Sequence, residues 1–172
     1  MMKRMATVLL CTVLGSAAYA NEGFDSQKFV GLELGATKVQ GQASGDTSND
    51  ISYGLRLGAM KDKWRGTFAL NFYDSGVHNV ERFLASFDYL FLNEEGETSI
   101  NAISPYIGLN VGYMNFESVG VDESGLVYGG QVGIIYSAME AVDLDLGYRY
   151  SLSKSDALDH SGDILFGINY KY

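Results

Sequence analysis

The sequence predicts an all-β protein, a closed eight-stranded antiparallel transmembrane β-barrel. Three observations predict it. Beyond residue 20, apolar and polar residues alternate with period two, and no helical period survives. The alternating segments run 10 to 14 residues, against about 5–6 for an ordinary globular strand and about 9–11 for a tilted strand that crosses a bilayer. One face of each segment is bulky and apolar, while the other carries glycine, small polar residues and charge.

The N-terminus is of another kind. Lys3 and Arg4 precede an apolar run from Met5 to Gly15, and Ala18-Tyr19-Ala20 has the small-x-small form of a cleavage site. That pattern predicts a signal peptide over residues 1–20 and a barrel domain over 21–172. Cys11 lies inside the apolar run, too early for a lipoprotein cleavage site. An exported chain from Asn21 onward has no cysteine, and its charge is more acidic than the −9 of the whole: 10 Lys and Arg against 21 Asp and Glu, or −11. Such a balance argues against nucleic acid, which requires a basic footprint. Mean hydropathy is −0.01, with 12 Tyr, 9 Phe and 21 Gly but a single Pro, a composition unlike that of disordered or collagenous chains.

The first segment, Lys28–Val39, sets Val30, Leu32 and Leu34 against Gly31, Glu33 and Gly35. The second, Ile51–Lys61, sets Tyr53, Leu55 and Leu57 against Gly54, Arg56 and Gly58. In Trp64–Tyr73 the apolar face is Trp64, Phe68, Leu70 and Phe72, opposite Arg65 and Asn71. In Val80–Leu92 it is Phe83, Phe87, Tyr89 and Phe91, opposite Arg82 and Asp88. Ile103–Phe116 and Gly125–Ser137 place Asn110 and Gln131 among glycines, with Ile107, Leu109, Val111, Tyr113, Tyr128, Val132, Ile134 and Tyr136 on the other side. Val142–Ser153 splits cleanly. Val142, Leu144, Leu146, Tyr148, Tyr150 and Leu152 alternate with Asp143, Asp145, Gly147, Arg149, Ser151 and Ser153. The last segment, Asp163–Tyr172, sets Ile164, Phe166, Ile168, Tyr170 and Tyr172 against Gly167 and Asn169. A closed barrel pairs it with the first segment and leaves no edge.

Alternation alone does not say which face is inside. A soluble ligand-binding barrel would turn the apolar face inward; a membrane barrel does the reverse. The polar face here is small, as a narrow eight-stranded lumen requires. The bulky residues share the other face, and its aromatics fall near strand ends. Trp64, Tyr89, Phe91, Tyr136, Tyr170 and Tyr172 form one girdle; Tyr53, Phe72, Phe83, Tyr113, Tyr128 and Tyr150 form the other. A lipid-facing Arg56 would cost about 2–4 kcal/mol at the midplane, so the inward register is favoured. Inside, Glu33, Asp88, Asp143 and Asp145 meet Arg56, Arg65, Arg82 and Arg149. The equal count predicts a lumen filled by ion pairs, because a buried charge without a partner is costly. Short turns are expected at 61–63 and 138–141 and longer acidic loops at 40–50, 117–124 and 154–162. Asn93–Ala102 is a long turn on the side where turns should be short.

The stretches SPYIGLNVGY (Ser104–Tyr113), LDLGYRYS (Leu144–Ser151) and the terminal FGINYKY resemble the small eight-stranded outer-membrane β-barrels of Gram-negative bacteria, the OmpA/OmpX/opacity-type group. The resemblance covers all of residues 21–172 and implies residence in the outer membrane. It implies contact with lipid and lipopolysaccharide, and surface loops that meet a host or environmental ligand. It also implies that Phe166, Gly167, Tyr170 and Tyr172 form a C-terminal signal read by the barrel-assembly machinery, with Leu165 where a polar residue is common.

Some barrels of this size modify lipid A, which draws attention to Asp74-Ser75-Gly76-Val77-His78 and Asp159-His160-Ser161. Triad partners are set by space rather than adjacency, and loops are rich in Asp and Ser for their own reasons, so no catalytic residue is assigned. Two histidines without ligand spacing assign no metal site. The acidic GDTSND stretch, Gly45–Asp50, lacks EF-hand spacing. No cofactor is expected. The reading is a non-enzymatic surface, structural or adhesion-type barrel with a charged, largely plugged lumen. A narrow channel for ions or small apolar molecules, or a lipid A-modifying enzyme, are the alternatives.

Overall fold

A computed structural model describes residues 26–41, 47–74, 78–91, 100–118, 121–153 and 158–172. The expected signal peptide lies outside these residues. Eight strands form: β1 (Gln27–Gly41), β2 (Thr47–Lys61), β3 (Trp64–Asp74), β4 (His78–Leu90), β5 (Ile103–Ser118), β6 (Val121–Met139), β7 (Val142–Ser153) and β8 (Leu158–Lys171). Each pairs antiparallel with its chain neighbours, and β1 pairs with β8, so the sheet closes. The closing register sets Leu32 beside Ile168 and Leu34 beside Phe166.

The stagger of the barrel follows from the registers. A row of paired residues leaves β1 at Phe29 and passes through Gly58, Thr67, Ser86, Asn110, Gly129, Ser151 and Ser161. It returns to β1 at Val39, ten residues further along. Strands therefore tilt across the barrel, and an eight-stranded barrel has an interior that side chains fill.

The strands run past the alternating segments at the long-loop end. The expected loop at 117–124 is mostly hairpin, since Glu117 pairs with Asp122 and Ser118 with Val121. The loop expected at 154–162 is shortened by β8, which starts at Leu158, and Thr47–Asp50 of the acidic stretch belong to β2. Backbone pairing needs no apolar side chain, so the ladder continues above the belt where alternation fades.

The other end has short connections, with Asp62 taking a φ of 53° in the turn between β2 and β3. Of the long turn Asn93–Ala102, residues 93–99 lie outside the described residues. Its end is anchored. Asn101, at a φ of 68° that Asn tolerates, donates its N–H to Ser137 O at 2.7 Å. The Tyr136 hydroxyl donates to Asn101 Oδ1 at 2.8 Å. The C-terminus is held as well. Tyr172 N–H donates to Lys28 O at 2.9 Å and Lys171 N–H to Ala141 O at 2.8 Å.

Burial follows the pleat. In β7 every second residue from Asp143 to Ser151 is buried. Leu32, Leu55, Phe68, Phe87, Leu109, Val132, Leu146 and Ile168 are exposed on the outside, flanked by exposed Trp64, Tyr170 and Tyr172 at one end and Tyr53, Tyr113 and Tyr128 at the other. Water would not tolerate an apolar surface this continuous; a bilayer requires it. Inside, Ala69, Leu84, Met114 and Val127 form one apolar cluster, and Met60, Leu90, Tyr106 and Ile135 a second.

Candidate functional site

The lumen concentrates the chemistry of this chain. Glycines on its wall make room for it: a Cβ at Gly108 would strike the Asp88 carboxylate, and one at Gly167 the Arg56 guanidinium. Into that space project charged side chains that form a closed ring. Arg56 donates through Nη1 to Glu33 Oε2 at 3.1 Å and through Nη2 to Asp145 Oδ2. The same Asp145 oxygen accepts from Arg65 Nη1 at 2.7 Å. Arg65 Nε donates to Asp88 Oδ2 at 2.9 Å. Gln131 Nε2 donates to Asp88 Oδ1 at 2.6 Å and its Oε1 accepts from Arg149 Nε at 3.0 Å. Arg149 Nη1 then donates to Glu33 Oε1 at 3.2 Å and closes the circuit.

Three carboxylates alternate with three guanidinium groups, and Gln131 spans the one gap by offering its donor to an acid and its acceptor to a base. All seven side chains are at most 6 % exposed. Ions desolvated to this degree are tolerated only when paired and hydrogen-bonded, and the ring supplies both. Three branches tie in the rest of the wall. Asn169 Oδ1 accepts from Arg56 Nε at 2.7 Å, Asn71 Nδ2 donates to Glu33 Oε1 at 2.8 Å, and the Tyr106 hydroxyl donates to Asp145 Oδ1 at 2.9 Å. The Tyr106 ring also lies 4.3 Å from the Arg65 guanidinium carbon, a cation–π contact. Ring and branches together draw on all eight strands.

Six of the eight charged residues read from the sequence belong to this ring: Glu33, Arg56, Arg65, Asp88, Asp145 and Arg149. The other two are buried in the lumen but bond elsewhere. Arg82 Nη2 donates to Asp163 Oδ2 at 2.8 Å and Nη1 to Ser161 Oγ at 3.4 Å. Asp143 accepts from Lys171 Nζ at 2.8 Å. Alternation along β8 carries the signal for Asp163 and Lys171, which share the face of Gly167 and Asn169. Tyr106 has the same parity as Gly108 and Asn110. In the terminal strand Phe166, Tyr170 and Tyr172 face outward and Gly167 inward, and Leu165 is buried in the lumen.

In the second Asp-Ser-His cluster, the serine and the histidine do not meet. Ser161 is buried in the lumen, whereas His160 projects from the other face of β8, its ring 5.6 Å from that of Tyr150. A strand sends successive side chains to opposite sides, so the barrel wall separates them. The side chains of Asp74–His78 and of Asp159 lie outside the described ones. Among the described residues no group of three His, Cys, Asp or Glu could hold a metal ion.

No family model matches the chain, and no curated protein matches it. Solved structures do. Neisserial surface protein A superimposes with a TM-score of 0.69 at 21% identity, over 84% of this chain and 97% of that one. Outer membrane protein H from P. aeruginosa gives 0.60 at 21% identity, over 85% and 99%. Ail, the attachment invasion locus protein of Yersinia pestis, gives 0.56 at 18% identity, over 87% and 100%. The chain shares the fold of these small eight-stranded outer-membrane barrels, and its continuous apolar outer face suits a bilayer.

Proposed function

We propose that this barrel neither conducts nor catalyses, and that its exposed ends do its work as a surface, structural or adhesion-type protein. The observation that carries this reading is the ring. Ring and branches draw side chains from every strand into one bonded network across the bore, and the ring's formal charges balance, so an entering ion meets charges that are already partnered. Names among the structural relatives, a surface protein and an attachment invasion locus protein, support a role at the cell surface. Ail has also been solved with the heparin analogue sucrose octasulfate. The formal charge of −9 makes a polyanion a poor partner here, and favours a cationic ligand or lipopolysaccharide bridged through divalent cations.

Planar-bilayer recording of the purified protein tests the reading. It predicts no steady unit conductance, and a reproducible one would contradict it. One observation favours a narrow channel instead. Thr67 Oγ1, Ser86 Oγ and Asn110 Nδ2 are buried without a hydrogen-bond partner on adjacent paired positions, and such atoms mark places where water sits. Lipid A modification is the third reading. Unchanged lipid A acylation by mass spectrometry, with and without the protein, would remove it.

The terminal FGINYKY is proposed to serve twice, as the assembly signal and as the closing seam. Lys171 ties to Asp143 on the inside while Tyr170 and Tyr172 face outward. Deletion of Tyr172 is expected to lower the amount of heat-modifiable barrel in outer-membrane fractions; normal insertion would contradict the assembly role.

A further inference from the structure

The glycines of the barrel divide into two groups. At Gly31, Gly54, Gly112, Gly129 and most other described strand glycines, a Cβ would strike a backbone carbonyl or a side chain at under 3 Å. Packing therefore explains their lack of a side chain. Gly66 and Gly130 differ: a Cβ at Gly66 would meet no atom within 4 Å, and one at Gly130 only the Gly108 carbonyl at 3.4 Å. Both face outward, where neighbouring residues are bulky. Glycine inside a strand costs stability, and a glycine that packing does not require marks a place where something else approaches the backbone.

The two positions are related in space. Gly66 pairs with Phe87, Phe87 with Leu109, Leu109 with Gly130, and Gly130 with Tyr150. They lie in one row across β3 to β7. The adjoining row runs Trp64, Tyr89, Ile107, Val132, Tyr148. Between the rows is a groove of about 580 Å³ with Gly130 in its floor and Trp64, Phe87, Leu109, Tyr148 and Tyr150 among its walls. Gly66 does not itself line the groove; it adjoins the groove beside the Trp64–Phe87 wall, whose rings stack at 4.9 Å without covering it. Three strand spacings separate Gly66 from Gly130, about 14 Å. That matches the reach of one lipid chain through half of a hydrocarbon core about 30 Å thick.

We propose that this groove is a binding site for a phospholipid of the periplasmic leaflet, with one acyl chain laid across Gly66 and Gly130 and the phosphate at the short-turn end. The strands tilt, so a row perpendicular to them climbs obliquely through the membrane, as a chain entering from one leaflet does. The groove begins at Trp64, in the girdle at the short-turn end, directly after the exposed Lys63. An ammonium there complements a phosphate headgroup, with the exposed Asp62 in the same turn setting the headgroup aside from it. Apart from Gln131, whose side chain joins the ring inside, the rest of the lining is aliphatic, aromatic or glycine, which fits hydrocarbon.

The inference rests on the membrane reading above. A heat-modifiable band in the membrane fraction establishes that reading first, and recovery of soluble protein would end both. Trp64 is the single tryptophan, which makes it a built-in reporter. The full-length barrel is placed in vesicles containing phosphatidylglycerol brominated in its chains, and Trp64 fluorescence is followed as the brominated fraction rises. Half-maximal quenching is expected at a several-fold lower fraction for wild type than for Gly130→Leu, which fills the floor far from the reporter. Ala36→Leu, on the lipid face outside the groove, should behave as wild type. Native mass spectrometry should show a retained phospholipid on wild type and Ala36→Leu, and its loss from Gly66→Leu and Gly130→Leu. Lys63→Glu should weaken retention of the anionic lipid. Identical quenching curves for all variants would overturn the site, and so would cross-linked dimers of wild type that disappear in Gly130→Leu, because the groove would then seat a second copy of the chain.

Discussion

The two faces of β7 share one backbone and are specified in different ways. Outward, Leu144, Leu146, Tyr148 and Tyr150 need only be apolar and large. Inward, Asp145 and Arg149 hold particular partners on other strands: Arg56, Arg65 and Tyr106 for the first, Gln131 and Glu33 for the second. A fluid solvent of hydrocarbon accepts many shapes, whereas a bonded circuit accepts one. The outer face should therefore tolerate exchange within its class and the inner face should not.

The largest effect is expected at Asp145. Its removal in Asp145→Ala leaves Arg56 and Arg65, both buried, each short of a carboxylate, and breaking a buried pair costs about 3–5 kcal/mol. Urea unfolding in lipid vesicles measures it; a loss below that of an ordinary surface change would break the comparison. Next comes Leu146→Arg, which puts a charge on the lipid face about midway along β7. That should cost about 2–4 kcal/mol in the same assay. The smallest is Leu109→Ile, which keeps the class of the outer face and should stay within about 0.5 kcal/mol of wild type. Should Leu109→Ile rival Asp145→Ala, the outer face would be as closely specified as the inner.

The same difference governs what the sequence could say. β7 is legible from Val142 to Ser153 because both of its faces lie at membrane depth, where solvent forces alternation. β6 begins at Val121, four residues before the alternation at Gly125, because above the belt pairing persists without an apolar requirement. Position on the inner face was legible for Glu33, Arg56, Arg65, Asp88, Asp145 and Arg149, since a charge on the lipid side would be expensive. Partnership was not. Glu33 and Arg149 stand 116 residues apart and meet only because closure and the ten-residue stagger bring them level. Gln131 gives no charge signal at all, although it closes the ring. Tyr106 is disguised by its type, as the other tyrosines of the belt face outward.

The account stands or falls on whether the inner face acts as one unit. Asp88 and Glu33 share no direct bond, yet two arcs of the ring join them, one through Gln131 and Arg149 and the other through Arg65, Asp145 and Arg56. A double-mutant cycle of Asp88→Asn and Glu33→Gln, read as unfolding free energy in vesicles, measures their coupling. A closed ring predicts an interaction energy of about 0.5–3 kcal/mol. Additivity within about 0.3 kcal/mol would contradict it and reduce the ring to separate pairs.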